Sequence, residues 1–199
     1  GRYYPWITII DDAGNKLDKV TARDNVFDLV IEAGELGTLQ VKNEMLGSAI
    51  FVAGPVKLIQ VGDDLISAIS ITGPFGNLKS LKVGGDLGTP VGGEVLVDGQ
   101  VGKIAVGGDF LADFYLNYYP QPVTPGNPQG GFVAYPGREG IELKSLVVGG
   151  QIRGIGHIGG DVGLISSGGE FGVPGSLLHV YGDLAVFNVG SKKSMAEQL

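Results

Sequence analysis

Leu78-Lys-Ser-Leu81-Lys-Val83-Gly-Gly-Asp86-Leu87 returns, after Val95-Leu-Val97-Asp-Gly-Gln100, as Val101-Gly-Lys-Ile104-Ala-Val106-Gly-Gly-Asp109-Phe110. Each segment repeats one formula: apolar, two free positions, apolar, one free position, Val, a small or polar residue, Gly, an acid or amide, apolar. Self-similarity at a short period is the sequence mark of a solenoid. Within each unit the last two apolar residues stand two apart, as in Leu81/Val83 and Ile104/Val106. That spacing puts both on one face of a β-strand. The residue between them is often Lys, Gln, Ser or His, which suits a wet outer face.

Read outward from there, the formula begins near Val26. Its acid or amide slot falls at Glu35, Glu44, Asp64, Asp86, Gln100, Asp109, Gln151, Asp161, Glu170 and Asp183, with Pro55 and Pro74 in two further units. Intervals run from 9 to 14 residues up to Asp109, and a unit of about ten residues holds one strand and one corner. The predicted fold is all-β: a single parallel β-helix domain, or β-solenoid, with right-handed coiling and three sides favoured, hence about 30 residues per coil at three units each. Corner glycines are expected to supply backbone conformations closed to other residues, and the acids that follow to bond local backbone N–H groups as Asx turns do.

Three stretches break the formula. Residues 1–24 read as an N-terminal cap, with Tyr3, Tyr4 and Trp6 suited to covering an exposed end. Coils are expected over 25–110 and 143–190, and 191–199 forms a tail. Between the two runs, 111–142 reads as a loop insertion carrying Phe114, Tyr115, Tyr118, Tyr119, Phe132 and Tyr135. Four of the seven tyrosines and five of the ten prolines fall there, so it is neither polar linker nor plain disorder.

Composition supports the β reading. Thirty-six glycines without a Gly-X-Y period, among regularly spaced Val, Ile and Leu, fit neither helices nor collagen. Net charge is −7 and only Arg2, Arg23, Arg138 and Arg153 represent arginine. No basic stripe is visible in the sequence, so neither nucleic acid nor an anionic membrane surface is an expected partner. There is no cysteine, which excludes disulfides and thiolate metal sites. No apolar run is long enough to span a membrane. The start at Gly1-Arg2-Tyr3 reads as a cut or mature end, compatible with a removed export signal.

Among motifs, Gly154-Ile-Gly156-His-Ile-Gly159 matches the dinucleotide fingerprint, but no helix-forming run follows it. His157 and His179, the only histidines, read as isolated surface residues. Gly-Gly-Asp at 84–86, 107–109 and 159–161 invites comparison with calcium-binding nonapeptide rolls. The second Gly-x-Asp element is missing, so turn capping is preferred and no cofactor is expected; calcium at the corner carboxylates is the competing reading. Arg138, Glu139, Glu142 and Arg153 are the candidates for a lyase-like groove, and no spacing singles them out. The aromatic insertion is the best functional lead, because Tyr and Phe rings on a rigid scaffold suit a sugar or another polar partner.

The Leu-Lys-Ser-Leu-Lys-Val-Gly-Gly-Asp-Leu and Gly-Lys-Ile-Ala-Val-Gly-Gly-Asp-Phe segments resemble the Gly-Ser-Val-x-Val-Gly-Gly-Asp-Leu repeats of large secreted and surface proteins of bacteria. The likeness covers about residues 30–110 and 143–190. It implies an extracellular or cell-surface parallel β-helix serving as stalk, adhesin or wall component. The expectation is therefore a non-enzymatic adhesion module in which Tyr115, Tyr118, Tyr119, Phe132 and Tyr135 bind a polysaccharide such as cellulose or another cell-wall glucan. The alternatives are a lyase- or hydrolase-like β-helix enzyme and a purely structural spacer or array subunit.

Overall fold

A computed structural model of the chain describes residues 7–10, 15–73, 75–90, 92–121, 131–134, 141–171 and 176–190. Its strands succeed one another as β1 (Ile7–Ile10), β2 (Lys16–Ala22), β3 (Val26–Phe27), β4 (Leu29–Ala33), β5 (Glu35–Val41), β6 (Met45–Val52), β7 (Val56–Val61), β8 (Leu65–Ile71), β9 (Leu78–Val83), β10 (Glu94–Val97) and β11 (Val101–Val106). They continue as β12 (Asp113–Leu116), β13 (Tyr118–Gln121), β14 (Gly131–Ala134), β15 (Ile141–Val148), β16 (Ile155–Ile158), β17 (Asp161–Ser167), β18 (Leu177–Val180) and β19 (Leu184–Val189). The chain alternates between two parallel sheets. Sheet A runs β1-β4-β6-β8-β10-β12-β16-β18, with β3 beside β6, and sheet B runs β2-β5-β7-β9-β11-β15-β17-β19. Stacked coils of an all-β solenoid result, and no described residue is helical.

The core is made of columns. Leu39, Ile59, Leu81, Ile104, Leu146 and Ile165 lie in register from coil to coil and are all 0% exposed. A buried side chain of this size contributes about 1.5–3 kcal/mol, so each coil is held mainly by the coils above and below it. A third, short face consists of the apolar residue after each corner acid. Leu65, Leu87, Phe110, Ile152 and Phe171 form one continuous line of parallel bridges.

Two ten-residue units close each coil, not three. The first core positions of sheet B, Leu17, Leu36, Val56, Leu78 and Val101, are 19 to 23 residues apart. The third face needs no unit of its own because the chain bends just after it: the register shifts between Leu46 and Ser48. Sheet B has a bend too. Apolar residues three apart, such as Leu78 and Leu81, are both buried, which a flat strand of period two forbids. The pairing omits the residue after the first core position in every coil, as at Lys79 and Gly102, so the bend is itself stacked, as a bulge is.

Gly73, with φ of 95°, is a corner glycine of the expected kind, but others serve a different purpose. Gly84 and Gly107 are not among the residues with positive φ. A Cβ on Gly84 would lie 2.0 Å from the Gly62 carbonyl oxygen, and one on Gly107 would lie 2.1 Å from that of Gly84. Glycine is needed so that one coil's backbone can approach the next.

The acids also act between coils. Asp64 Oδ1 accepts from the Asp86 N–H at 2.7 Å, Asp86 Oδ1 from the Asp109 N–H at 2.7 Å, and Asp109 Oδ1 from the Gln151 N–H at 2.8 Å. At the other corner Asn77 Oδ1 accepts from the Gln100 N–H at 2.8 Å, so an amide oxygen does the same task. Asp86→Asn is therefore expected to leave the urea midpoint nearly unchanged. Asp86→Ala should cost about 1–2 kcal/mol by stranding the Asp109 N–H. Equal losses from both variants would mean that the charge, not the acceptor, is what matters.

Two boundaries differ from the sequence reading. Residues 7–10 and 16–22, expected in a cap, extend the two sheets in parallel register; Tyr3, Tyr4 and Trp6 lie outside the described residues. The insertion begins later than Leu111: β12 pairs with β10 and β16, and Phe114 and Leu116 are 0% exposed in the core. The chain leaves the stack at the buried Asn117, whose φ of 50° turns it outward, and β13 and β14 form an antiparallel hairpin. The 191–199 tail is outside the described residues.

Candidate functional site

Between the inward-facing Phe114 and Leu116, Tyr115 points away from the core. Sheet register places it in an outer column of sheet A with Phe51, Ser70, Leu96, His157 and His179. The rings of Tyr115 and His157 are parallel within 3° with centroids 5.7 Å apart. His179 meets His157 edge-on at 5.3 Å. Tyr181, 53% exposed, adds its ring 5.9 Å from His179 and places its hydroxyl 3.4 Å from His179 Nδ1. The two histidines, read from sequence as isolated surface residues, are thus neighbours, and His157 is buried at 8% exposure. They are 22 residues apart, about one coil, and the repeat period was the signal that pairs them.

Burial and then the nearby His179 push the His157 pKa below its ordinary value, against a smaller opposing effect of Asp113. Burial, reinforced by Asp113 and Glu94, raises the Tyr115 phenol. At neutral pH Tyr115 and His157 are therefore uncharged rings with hydroxyl and imidazole hydrogen-bonding groups. Among the described residues no three His, Cys, Asp or Glu side chains gather as metal ligands.

The other predicted platform residues are distributed as follows. Tyr118 and Tyr119 lie in β13 and Phe132 in β14, with Pro120 opposite Phe132 and Tyr119 opposite Val133. Tyr135 lies outside the described residues. The hairpin starts three residues after Tyr115, so its root adjoins the outer column. Of the lyase-like candidates, Arg138 and Glu139 are outside the described residues. Glu142 is fully buried at the start of β15. Arg153 is exposed beyond the far end of that strand, where its Nε donates to Gln151 Oε1 at 2.5 Å. The length of β15, about 20 Å, separates these two, so they share no groove. Two glycines of the 154–159 motif are explained by packing: a Cβ on Gly154 would meet the Ala112 carbonyl, and one on Gly156 the Phe114 ring.

One conclusion from the sequence is overturned. A basic stripe exists, on the outer face of sheet B. Lys57, Lys79, Lys82, Lys103 and Lys144 are exposed there on four neighbouring strands. They are scattered over 88 residues of sequence, so no local run of charge discloses them.

Comparison with protein-family models, with curated proteins and with solved structures finds no match to this chain.

Proposed function

We propose that this solenoid is a non-catalytic, extracellular attachment module that binds a polysaccharide on the outer face of sheet A. The observation that carries the reading is the Tyr115–His157–His179 column with Tyr181 at its exposed end. Flat rings match the C–H face of a pyranose, while the tyrosine hydroxyls and imidazole nitrogens suit its hydroxyls. The scaffold is ordered before binding, so little entropy is lost on association. The hairpin is rooted three residues after Tyr115, and we assign Tyr118, Tyr119, Phe132 and Tyr135 to the same binding surface.

The test is pull-down on an insoluble glucan such as cellulose. Tyr115→Ala with Tyr181→Ala is expected to weaken retention about tenfold, the loss of one or two ring contacts, and Tyr118→Ala with Tyr119→Ala to weaken it further. Retention unchanged in both double variants removes the platform.

A second reading, an array subunit, is favoured by the last coil. Leu184, Phe187 and Val189 continue the core columns but are 39%, 45% and 45% exposed. Filaments that form without affinity for any sugar support that reading over the first.

A further inference from the structure

The lysine face of sheet B is a second site, on the other side of the core from the aromatic column. From the first to the last core position, β5, β7, β9, β11 and β15 read Leu-Gly-Thr-Leu-Gln-Val, Val-Lys-Leu-Ile-Gln-Val, Leu-Lys-Ser-Leu-Lys-Val, Val-Gly-Lys-Ile-Ala-Val and Leu-Lys-Ser-Leu-Val-Val. Five lysines and no carboxylate occur in them, although the chain has 21 acids against 14 bases. Among the described residues the one ion pair is Lys16–Asp18, 3.0 Å long and at the edge of this face. The lysines alternate along the stack with neutral neighbours, Lys82 lying between Gln60 and Ala105 and Lys103 between Ser80 and Ser145, so the face is positive and suits an anionic partner.

The face is also shaped. Lys16, Lys57, Lys79 and Lys144, with Asn77, Gln100 and the single carboxylate Glu35 at the start of β5, line a groove of about 530 Å³. It follows the stacked bend, with glycine at 37 and 102 because a side chain there would strike the carbonyl of the preceding coil. The groove crosses β2, β5, β7, β9, β11 and β15. Five steps at the inter-strand spacing make it roughly 24 Å long, parallel to the solenoid axis. A shallower depression of about 450 Å³ beside it carries Lys82 and Lys103.

We propose that this groove binds a linear polycarboxylate glycan, a uronic-acid polymer, along the solenoid axis. The coil rise is close to the length that one pyranose adds to a linear chain, so a polymer laid along the groove passes a lysine on four of its six strands, at Lys16, Lys57, Lys79 and Lys144. The amides of Asn77 and Gln100 suit the intervening hydroxyls. Nucleic acid fits less well. The groove has no arginine for bidentate phosphate contacts and no aromatic ring for base stacking. A duplex, with one charge per about 1.7 Å and a far greater width, would also reach the corner acids Asp63, Asp64, Asp86 and Asp109 that border the face.

Isothermal titration of the whole chain with an eight-residue oligouronate, the matching neutral oligoglucan and a 30-base-pair DNA duplex tests this. The oligouronate is expected to bind on this face, with an affinity that falls as salt rises. Lys57→Gln, Lys79→Gln and Lys144→Gln together should lose roughly ten- to a hundredfold, and the corresponding triple arginine variant should retain binding. These side chains are exposed, so both variants should fold, which circular dichroism checks. The proposal is overturned if the duplex binds more tightly than the oligouronate, if the triple glutamine variant keeps wild-type affinity, or if no oligouronate binding occurs. Tyr115→Ala should leave oligouronate binding intact, so this proposal and the aromatic-platform reading fail separately.

Discussion

Gly107→Ala should destabilise the protein by about 3 kcal/mol or more, the upper range for forcing extra volume into a packed structure. The new methyl carbon would sit 2.1 Å from the Gly84 carbonyl oxygen and 3.0 Å from its carbon. No rotamer change relieves that, because both partners are backbone. The coils are also tied on either side of the contact: Gly107 N–H donates to the Val83 carbonyl at 2.9 Å and Gly108 N–H to that of Gly85 at 2.9 Å. Moving them apart weakens these bonds and the Asp86–Asp109 link together. Gly92→Ala is the control. Its nearest neighbour would be Thr89 Oγ1 at 3.4 Å, an ordinary contact, and its cost should stay within about 0.5 kcal/mol. Urea unfolding followed by circular dichroism measures both, and equal losses would refute the close approach of the coils at this corner.

Phe114→Ala is the second large effect, about 3–5 kcal/mol. Phe114 is fully buried and meets Phe110 edge-on at 5.0 Å. Its ring tip occupies the space that Gly156 leaves one coil away, since a Cβ on Gly156 would come within 2.2 Å of Phe114 Cζ. The two positions are therefore coupled. Gly156→Ala alone should destabilise by overpacking, and combined with Phe114→Leu it should cost clearly less than the sum of the single changes. Additive losses would mean that the ring and the glycine do not share that space.

The core was legible because its columns follow the formula: Leu81 and Val83, or Ile104 and Val106, announce a buried face by spacing alone. The coil length was not. A ten-residue unit is the same whether two or three close a turn, and only register shows that Leu65 and Leu87 supply a third face from within existing units. β2 was missed although Leu17, Val20 and Ala22 repeat the apolar spacing, because Arg23-Asp24-Asn25 replaces the glycine corner. β12 was assigned to the insertion because Tyr115 belongs compositionally with the tyrosines after it, whereas Phe114 and Leu116 belong with the core.

The sites follow the same logic. Tyr115 was identified from sequence for its chemistry, but its neighbours His157 and His179 are distant in sequence and adjacent only through the stack. Lys57 and Lys79, 22 residues apart, become neighbours in the same way. Corners of varying length hide such columns until the register is known.

Amide NMR of the labelled protein, titrated separately with a neutral oligoglucan and an oligouronate, tests most directly whether the two sheets carry two distinct sugar sites. The expected result is two non-overlapping sets of shifted signals: Leu96, Tyr115, His157 and His179 with the neutral chain, and Lys57, Lys79, Gly102 and Lys144 with the acidic one. A single set moved by both ligands, or no movement on either face, would contradict it.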